Sequence, residues 1–467
     1  MRNVVLPQKG TTMRFTALLI LFTALYSYTS AEHSLSLQQA AEMMNATNSQ
    51  IKAAEYQTLA AKRERQAAIS LFSPQINVRS AWIHTQKDLA IDINPLKEAL
   101  NSFNLGSLLS LDWRYTIQPR TFGFVGADVT VPIFTGGKII SAVKAATISE
   151  QIVHSQSRAI YQSNFTQLIE RYFALSLAQS AVKVRHRVVV GMEKHSEDIE
   201  NLIAQGMATK ADALYIKYRL TAAKQDLLSA KSSLALARHA LSSSIGIDSI
   251  TKLSTPIFYS TIIEELEHFE QLAEQNNTQL AQIEGERKLA KVNIDIHRAE
   301  FFPEIVAMGG GGFTHHVTDI IPRWAIGIGA NFTLFNGLKR EYRYSAAKNR
   351  YKSVITIQEG AKSDIKLLIN SLYNKIITSL NRIISLQKSI DFSSELLQLK
   401  QAAFAEGAAT STEVIDATIA LAAAQIEQLE CAYNFDINLA ELLEAAGVSE
   451  QFFQYSDSHT KAQLIYE

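Results

Sequence analysis

A single cysteine, Cys431, in 467 residues leaves no partner for an intrachain disulfide and no cysteine cluster for a metal. Net charge is equally scarce: Lys+Arg and Asp+Glu each number 45, so no bulk field draws the chain to nucleic acid or to an acidic membrane surface. Beyond the N-terminal region no stretch approaches the ~18 uninterrupted apolar residues of a transmembrane helix. If this chain lives in a membrane, it must do so as a β-barrel. Chemical motifs are missing too. The run Gly309-Gly310-Gly311-Gly312 is not followed by Gly-Lys-Ser/Thr, and Gly136-Gly137-Lys138 lacks the spacing of a phosphate loop. The adjacent His315-His316 have no third ligand. No metal and no cofactor are expected, and no enzyme, since no motif groups a nucleophile with a base.

What is present begins with an export signal. Arg14 precedes an apolar run from Phe15 to Tyr26, and Thr29-Ser30-Ala31 resembles a small-residue cleavage site. Residues 1–31 are therefore expected to be a signal peptide, with Met1 or Met13 as the start; an uncleaved anchor is the alternative. No cysteine follows the cleavage site to accept a lipid. The 47% apolar content is that of a folded protein.

An internal repeat organises the remainder. Asn48-Ser49-Gln50-Ile51 matches Asn277-Thr278-Gln279-Leu280, and Leu71-Phe72-Ser73-Pro74 matches Glu300-Phe301-Phe302-Pro303, at an offset of about 229. Ile133-Phe134-Thr135-Gly136 matches Leu334-Phe335-Asn336-Gly337, and Gly206-Met207-Ala208-Thr209 matches Gly407-Ala408-Ala409-Thr410, at about 201. The change of offset places an insertion of about 28 residues between Pro74 and Phe134. The segment 87–119 should lengthen the first outer loop, with Leu105–Leu111 over the mouth of any barrel the strands form. The expected organisation is a first repeat over 32–245, a linker over 246–263, a second repeat over 264–446 and a tail over 447–467.

Each repeat reads as helix, strand, strand, long helix, tight turn, helix. The opening helices, Ser36–Phe72 and Glu264–Phe302, end at Pro74 and Pro303, which push the preceding residue into extended structure. In the fourth strand Trp324, Ile326, Ile328, Ala330, Phe332 and Leu334 alternate with Ala325, Gly327, Gly329, Asn331 and Thr333. The second strand divides likewise, with Val125, Ala127, Val129, Val131 and Ile133 against Gly126, Asp128 and Thr130. Gln75–Thr85 and Glu304–His316 complete four strands. The long helices, from Lys138 to Gln205 and from Lys339 to Glu406, carry a heptad seam. Ile369, Leu372, Ile376, Ser379, Ile383, Leu386 and Ile390 recur at spacings of three and four, which implies left-handed coiled-coil packing. The returning helix carries Val414, Ala417, Leu421, Ala424, Gln428, Cys431 and Phe435, so Cys431 is read as a packing residue.

Strands apolar on one face and small or polar on the other suit a transmembrane barrel, yet four strands cannot enclose a lumen, and hydrocarbon tolerates no open sheet edge. Several chains must close the wall together. On this reading Trp324, Ile326, Ile328 and Phe332 face lipid, and Asp128, Asn331 and Thr333 wet the interior. Asp128 alternatively pairs with a strand neighbour. A soluble β-ribbon on a coiled-coil stalk, acting as a non-pore surface scaffold or adhesin, is the competing reading.

These linked motifs resemble the TolC-type outer-membrane efflux protein family. The resemblance rests on Leu35-Ser36-Leu37-Gln38-Gln39-Ala40-Ala41 with Asn48-Ser49-Gln50-Ile51, on Pro132-Ile133-Phe134-Thr135-Gly136-Gly137 and Leu334-Phe335-Asn336-Gly337, and on the two glycine turns. It implies a mixed α and β membrane protein: a homotrimer with a twelve-stranded barrel in the bacterial outer membrane and a coiled-coil α-helical tunnel in the periplasm. It further implies a periplasmic adaptor protein and an inner-membrane transporter as partners, in a tripartite efflux or type I secretion system that passes exported solutes passively.

The tips are the candidate entrance. Gly206 and Gly407 suit left-handed helix ends, and Thr209-x-x-Asp212 and Thr410-x-x-Glu413 suit capping boxes. Glu413 and Asp416 share a helix face. The resemblance implies that they ring the entrance, attract cations and raise some carboxyl pKa values by mutual repulsion. The family's arginine–tyrosine lock falls on Ala409 and Phe404 here, so closure needs other contacts, with Asp212 a candidate.

Overall fold

The computed structural model describes residues 34–103, 114–247, 250, 252–315, 323–457 and 461–463. The expected signal peptide, Leu105–Leu111 and His316 lie outside the described residues. In chain order the elements are β1 (Ser34–Leu35), α1 (Leu37–Thr47), α2 (Ser49–Ser70), β2 (Gln75–His84), β3 (Leu89–Asp92), α3 (Asn94–Asn101), β4 (Arg114–Gln118) and β5 (Thr121–Phe134). The long helix α4 (Lys138–Ala204) and α5 (Lys210–Ile245) follow, then β6 (Lys252–Leu253), β7 (Phe258–Ser260), α6 (Leu266–Asn276) and α7 (Thr278–Ala299). The chain continues with β8 (Glu304–His315), β9 (Trp324–Asn331), α8 (Lys339–Ala405), α9 (Ser411–Ala445), α10 (Phe452–Asp457) and β10 (Lys461–Gln463). Two compact units are formed: Met1–Lys52 with Ile160–Asn277 and Asp364–Glu467, and Ala53–Ala159 with Thr278–Ser363.

Each opening helix is two helices, not one. Asn48 leaves the helical region with ψ 121, and its side-chain oxygen accepts from the N–H groups of Gln50 and Ile51, so the residue ends α1 and caps α2. Asn277 breaks the second opening helix in the same conformation, with ψ 124. An asparagine that caps its own downstream turn competes with the helix through that position. Both breaks are held by long-range contacts: Asn48 donates to Asn164 at 2.8 Å, and Asn277 donates to the Ala445 carbonyl at 2.7 Å.

Strands begin directly after Pro74 and Pro303. The unit containing them carries a four-stranded antiparallel sheet in the order β2-β5-β8-β9. β9 stops at Asn331, three residues short of the alternation read from sequence. Asn331 faces Glu304 in the last rung, and the next residue of β8's chain, Pro303, has no N–H to offer. Phe332 and Thr333 therefore lie beyond the strand, and neither takes the strand-face position expected of it. The inserted segment folds into its own structure: β3 pairs with β4 and α3 lies between them in sequence.

The other unit holds most of the large buried side chains. Tyr172, Phe173, Phe258, Phe269, Phe435 and Phe452 are all fully buried. Phe258 lies within 6.4 Å of Phe173, Phe435 and Phe452, ring centre to ring centre, in edge-on contacts that aromatic quadrupoles favour. The Tyr172 hydroxyl donates to the Leu35 carbonyl and accepts from Thr255, so its polar tip is satisfied. Asp436 is fully buried here and accepts from the Phe258 N–H at 3.4 Å; burial pushes its carboxyl well above the usual range. Cys431 is buried in the α9 seam.

The heptad reading survives in the long helices. Ile369, Leu372, Ile376, Ile383 and Ile390 of α8 are buried, as are Val414, Ala417, Gln428 and Phe435 of α9. α4 and α8 are each 67 residues long, or about 100 Å at 1.5 Å per residue. Among the described residues no helix is long and apolar enough to cross a membrane.

Candidate functional site: the hairpin tips and the sheet faces

Both hairpins turn by the same local chemistry. Gly206 and Gly407 sit at φ 76 and 74, where L side chains are strained. The N–H of Met207 returns to the Leu202 carbonyl and that of Ala408 to the Ala403 carbonyl, each at 2.8 Å, closing the last turn. Thr209 and Asp212 then form a complete capping box at the start of α5, and Thr410 and Glu413 form another at the start of α9. Gly206, Thr209 and Asp212 thus build the first turn, and Gly407, Thr410 and Glu413 the second.

The surroundings of the two boxes differ. The Asp212 carboxylate interacts with Thr209, whose hydroxyl and backbone N–H hold its pKa below the ordinary value. Glu413 also binds Lys400 of α8, 2.6 Å away, which with Thr410 holds its pKa down to about 2. Within one chain Lys400 and the Thr410 donors outweigh the desolvation that would raise this carboxyl. Asp416 is exposed, and Arg219 of α5 approaches it at 3.7 Å, tying the two hairpins together.

Sequence reasoning did not find Lys400, Arg219 or His195. Lys400 and Glu413 are brought together by folding back across the Gly407 turn, and Arg219 reaches Asp416 from the other hairpin; neither pairing is a local pattern. His195 lies on α4, buried to 8% exposure, with its Nε2 2.9 Å from the Ser411 hydroxyl and its ring edge-on to Phe404 at 4.7 Å. Ala409 and Phe404 flank the second turn, and Phe404 packs on this histidine.

The sheet has two unlike faces. Trp324, Ile326 and Ile328 project from one, 70%, 80% and 74% exposed, in register with Gly311, Gly309 and Ala307 of β8. Ile76 and Val78 share that apolar face opposite Val129 and Ala127. The other face carries Asp128 and Asn331 by the pleat alternation. Asp128 accepts from Asn77, directly opposite, at 3.1 Å and pairs with Arg79 at 3.2 Å. The strand-neighbour alternative for Asp128 is thus realised. Among the described residues no three His, Cys, Asp or Glu side chains group to hold a metal.

The model of the family described as outer membrane efflux protein matches residues 116–247 and 270–448. No curated protein matches the chain by sequence. The structure is similar to the outer membrane protein VceC of Vibrio cholerae, with a TM-score of 0.71, 18% identity, and coverage of 88% of this chain and 96% of that one. It is also similar to the CmeC outer membrane channel of Campylobacter jejuni, with a TM-score of 0.72, 13% identity, and coverage of 90% and 89%. The open-state MtrE outer membrane channel of Neisseria gonorrhoeae gives 0.69, 18%, 88% and 89%. Coverage is nearly complete in both directions, so the shared architecture includes helices and sheet alike. With its own segments matching the family model over more than half its length, the chain belongs to the outer membrane efflux protein family, which are channels rather than enzymes.

Proposed function

We propose that this chain is one third of a trimeric export channel, whose four strands join those of two other copies in a twelve-stranded barrel and whose hairpins form a periplasmic tunnel. The observation that carries this is the sheet itself. Among the described residues its apolar face is bare, and β2 and β9 each have an open edge. Burying one such face and closing both edges by identical neighbours answers the demand of a lipid environment for complete backbone pairing. A second observation favours the same assembly: α5 exposes Leu214, Tyr218, Leu228 and Leu236, and α8 exposes Leu367, Phe392, Leu396 and Leu399. Two different helices with apolar stripes fit a head-to-tail ring of copies.

On this reading Trp324, Ile326 and Ile328 face lipid, while Asp128, Asn77, Arg79 and Asn331 line the water path. Gly206, Gly407 and their capping boxes fix the tunnel tips, and Glu413, Asp416 and Asp212 border the entrance. A periplasmic adaptor and an inner-membrane transporter would supply cargo and energy, for tripartite efflux or type I secretion, and the channel itself passes solutes passively.

The test is purification in detergent followed by native mass spectrometry and planar-bilayer recording. Trimers with discrete single-channel currents are expected. A monomer that stays soluble without detergent and passes no current would sink the proposal and leave the non-pore scaffold.

A further inference from the structure

The contact of His195 with Phe404 and Ser411 has a property that the ion pairs at the tips lack. His195 belongs to the first hairpin, Phe404 to the last turn of α8 and Ser411 to the first turn of α9. One imidazole therefore touches both arms of the second hairpin, on either side of the Gly407 turn. We propose that His195 is a proton-sensitive latch that holds the second hairpin tip against the first at neutral pH and releases it in acid. This regulation rests on the reading of the tips as the channel entrance.

The geometry sets the direction. His195 forms part of the wall of a cavity of about 770 Å³ among α4, α8 and α9, which is open on one side and so gives protons a route to the ring. The charged groups in that wall are Arg187, Lys194 and Asp198, all on the histidine's own helix. No charged side chain of α8 or α9 lines it; the nearby Lys400 and Glu413 are paired with each other. Asp198 attracts an imidazolium, but it is exposed, and desolvation of the buried ring outweighs it, pushing the His195 pKa below its ordinary value. The Ser411 hydroxyl can accept from a protonated ring or donate to a neutral one, so the hydrogen bond alone does not sense the proton. Burial against Phe404 does.

The linkage follows. A histidine whose pKa is lowered in the latched state and ordinary, ~6.5, in a wetted one binds its proton more tightly when released. The latch is at full strength above pH ~6.5 and weakens as pH falls toward the lowered value. The population shift grows as pH falls, approaches the ratio of the two proton affinities only below the lowered value, and cannot exceed it.

The experiment compares the full-length wild-type channel with His195→Gln and Ser411→Ala in planar bilayers between about pH 7.5 and pH 5. Hydrogen–deuterium exchange of residues 403–416, corrected for intrinsic rates, is followed in parallel. A severalfold rise in open probability and in tip exchange is expected for wild type on acidification. His195→Gln, which keeps a side-chain hydrogen-bonding group without a titratable ring, should be flat in both. Ser411→Ala should exchange faster already at neutral pH and keep its acid response. An equal acid response in wild type and His195→Gln would overturn the latch. Acid-loosened exchange that depends on His195, in a protein passing no current at any pH, would keep the latch and sink the channel reading instead.

Discussion

The two hairpins share a turn but not a burial pattern. α5 buries Ile216, Ala223, Leu227, Leu241 and Ile245 along its 36 residues. α9, one residue shorter, buries sixteen, from Ser411 at its first position to Ala445 at its last. Tip chemistry is nearly identical, so the difference is not local. α9 lies within its own chain's core and packs on α5, α4 and the aromatic cluster around Phe258. α5 leaves Leu214, Tyr218, Leu228 and Leu236 bare. A 36-residue helix that is apolar on an uncovered side is the surface that the proposed trimer would cover, whereas α9 already holds the fold of its own chain.

That contrast can be broken by truncation. Phe435→Ala in α9 removes a fully buried ring and should cost about 3–5 kcal/mol, read as a large loss of thermal or denaturant stability. Leu236→Ala in α5, at a residue 72% exposed, should cost under about 0.5 kcal/mol within a chain and instead shift detergent-purified protein from trimer toward monomer in native mass spectrometry. Equal stability losses at the two positions would erase the distinction between core arm and interface arm.

Glycine substitution sharpens the same comparison. Gly447, just past α9, lies at φ 77, and a Cβ there would stand 2.2 Å from the Asn276 carbonyl oxygen. Backbone cannot swing aside as a side chain can, so Gly447→Ala should cost well over the ~1–2 kcal/mol of a left-handed L residue alone. Gly407→Ala and Gly206→Ala meet nothing within 4 Å and should each cost only about that strain. Melting of the three variants side by side checks the order.

Much of this was legible beforehand, and the gaps have physical causes. The glycine turns and capping boxes are local, short-range chemistry, so the turn geometry of Gly206, Thr209, Asp212 and their counterparts can be read from neighbouring residues, whereas their place at an entrance cannot. The heptads give the seam of α8 for the same reason. Asn48 and Asn277 were visible as a repeated motif yet not as helix breaks, because a single asparagine inside a helical pattern reads as tolerated until its partners are seen: the next turn for Asn48, the Ala445 carbonyl for Asn277. Phe332 and Thr333 were assigned to a strand by alternation, a property of one segment; the strand's end is set by Pro303 on its partner. Lys400, Arg219 and His195 depend wholly on tertiary placement. Asp416 could be marked as uncapped, but which arginine approaches it is not written in its neighbourhood.

The caps give a smaller effect. Thr209→Ala and Thr410→Ala each remove a cap worth about 1 kcal/mol, seen as faster amide exchange in the first turn of α5 or α9. Thr410→Ala should propagate further, because Thr410 orients the carboxylate that Lys400 grips. Charge alone gives the smallest. The Glu413 pKa is depressed from 4.5 to about 2, so its stabilising interactions are intact above the unfolded value and are lost as pH falls from about 4.5 toward 2. Glu413→Gln should remove that acid-dependent part of tip protection, measured by exchange of residues 407–416 across the window. Asp212→Asn acts on a carboxyl lowered only by its own cap and should alter the acid profile of 206–215 less. A Glu413 variant whose acid profile matches wild type would mean that neither Lys400 nor the Thr410 cap draws acid-sensitive stability from this carboxylate, and the electrostatic difference between the two hairpins would vanish at the second tip.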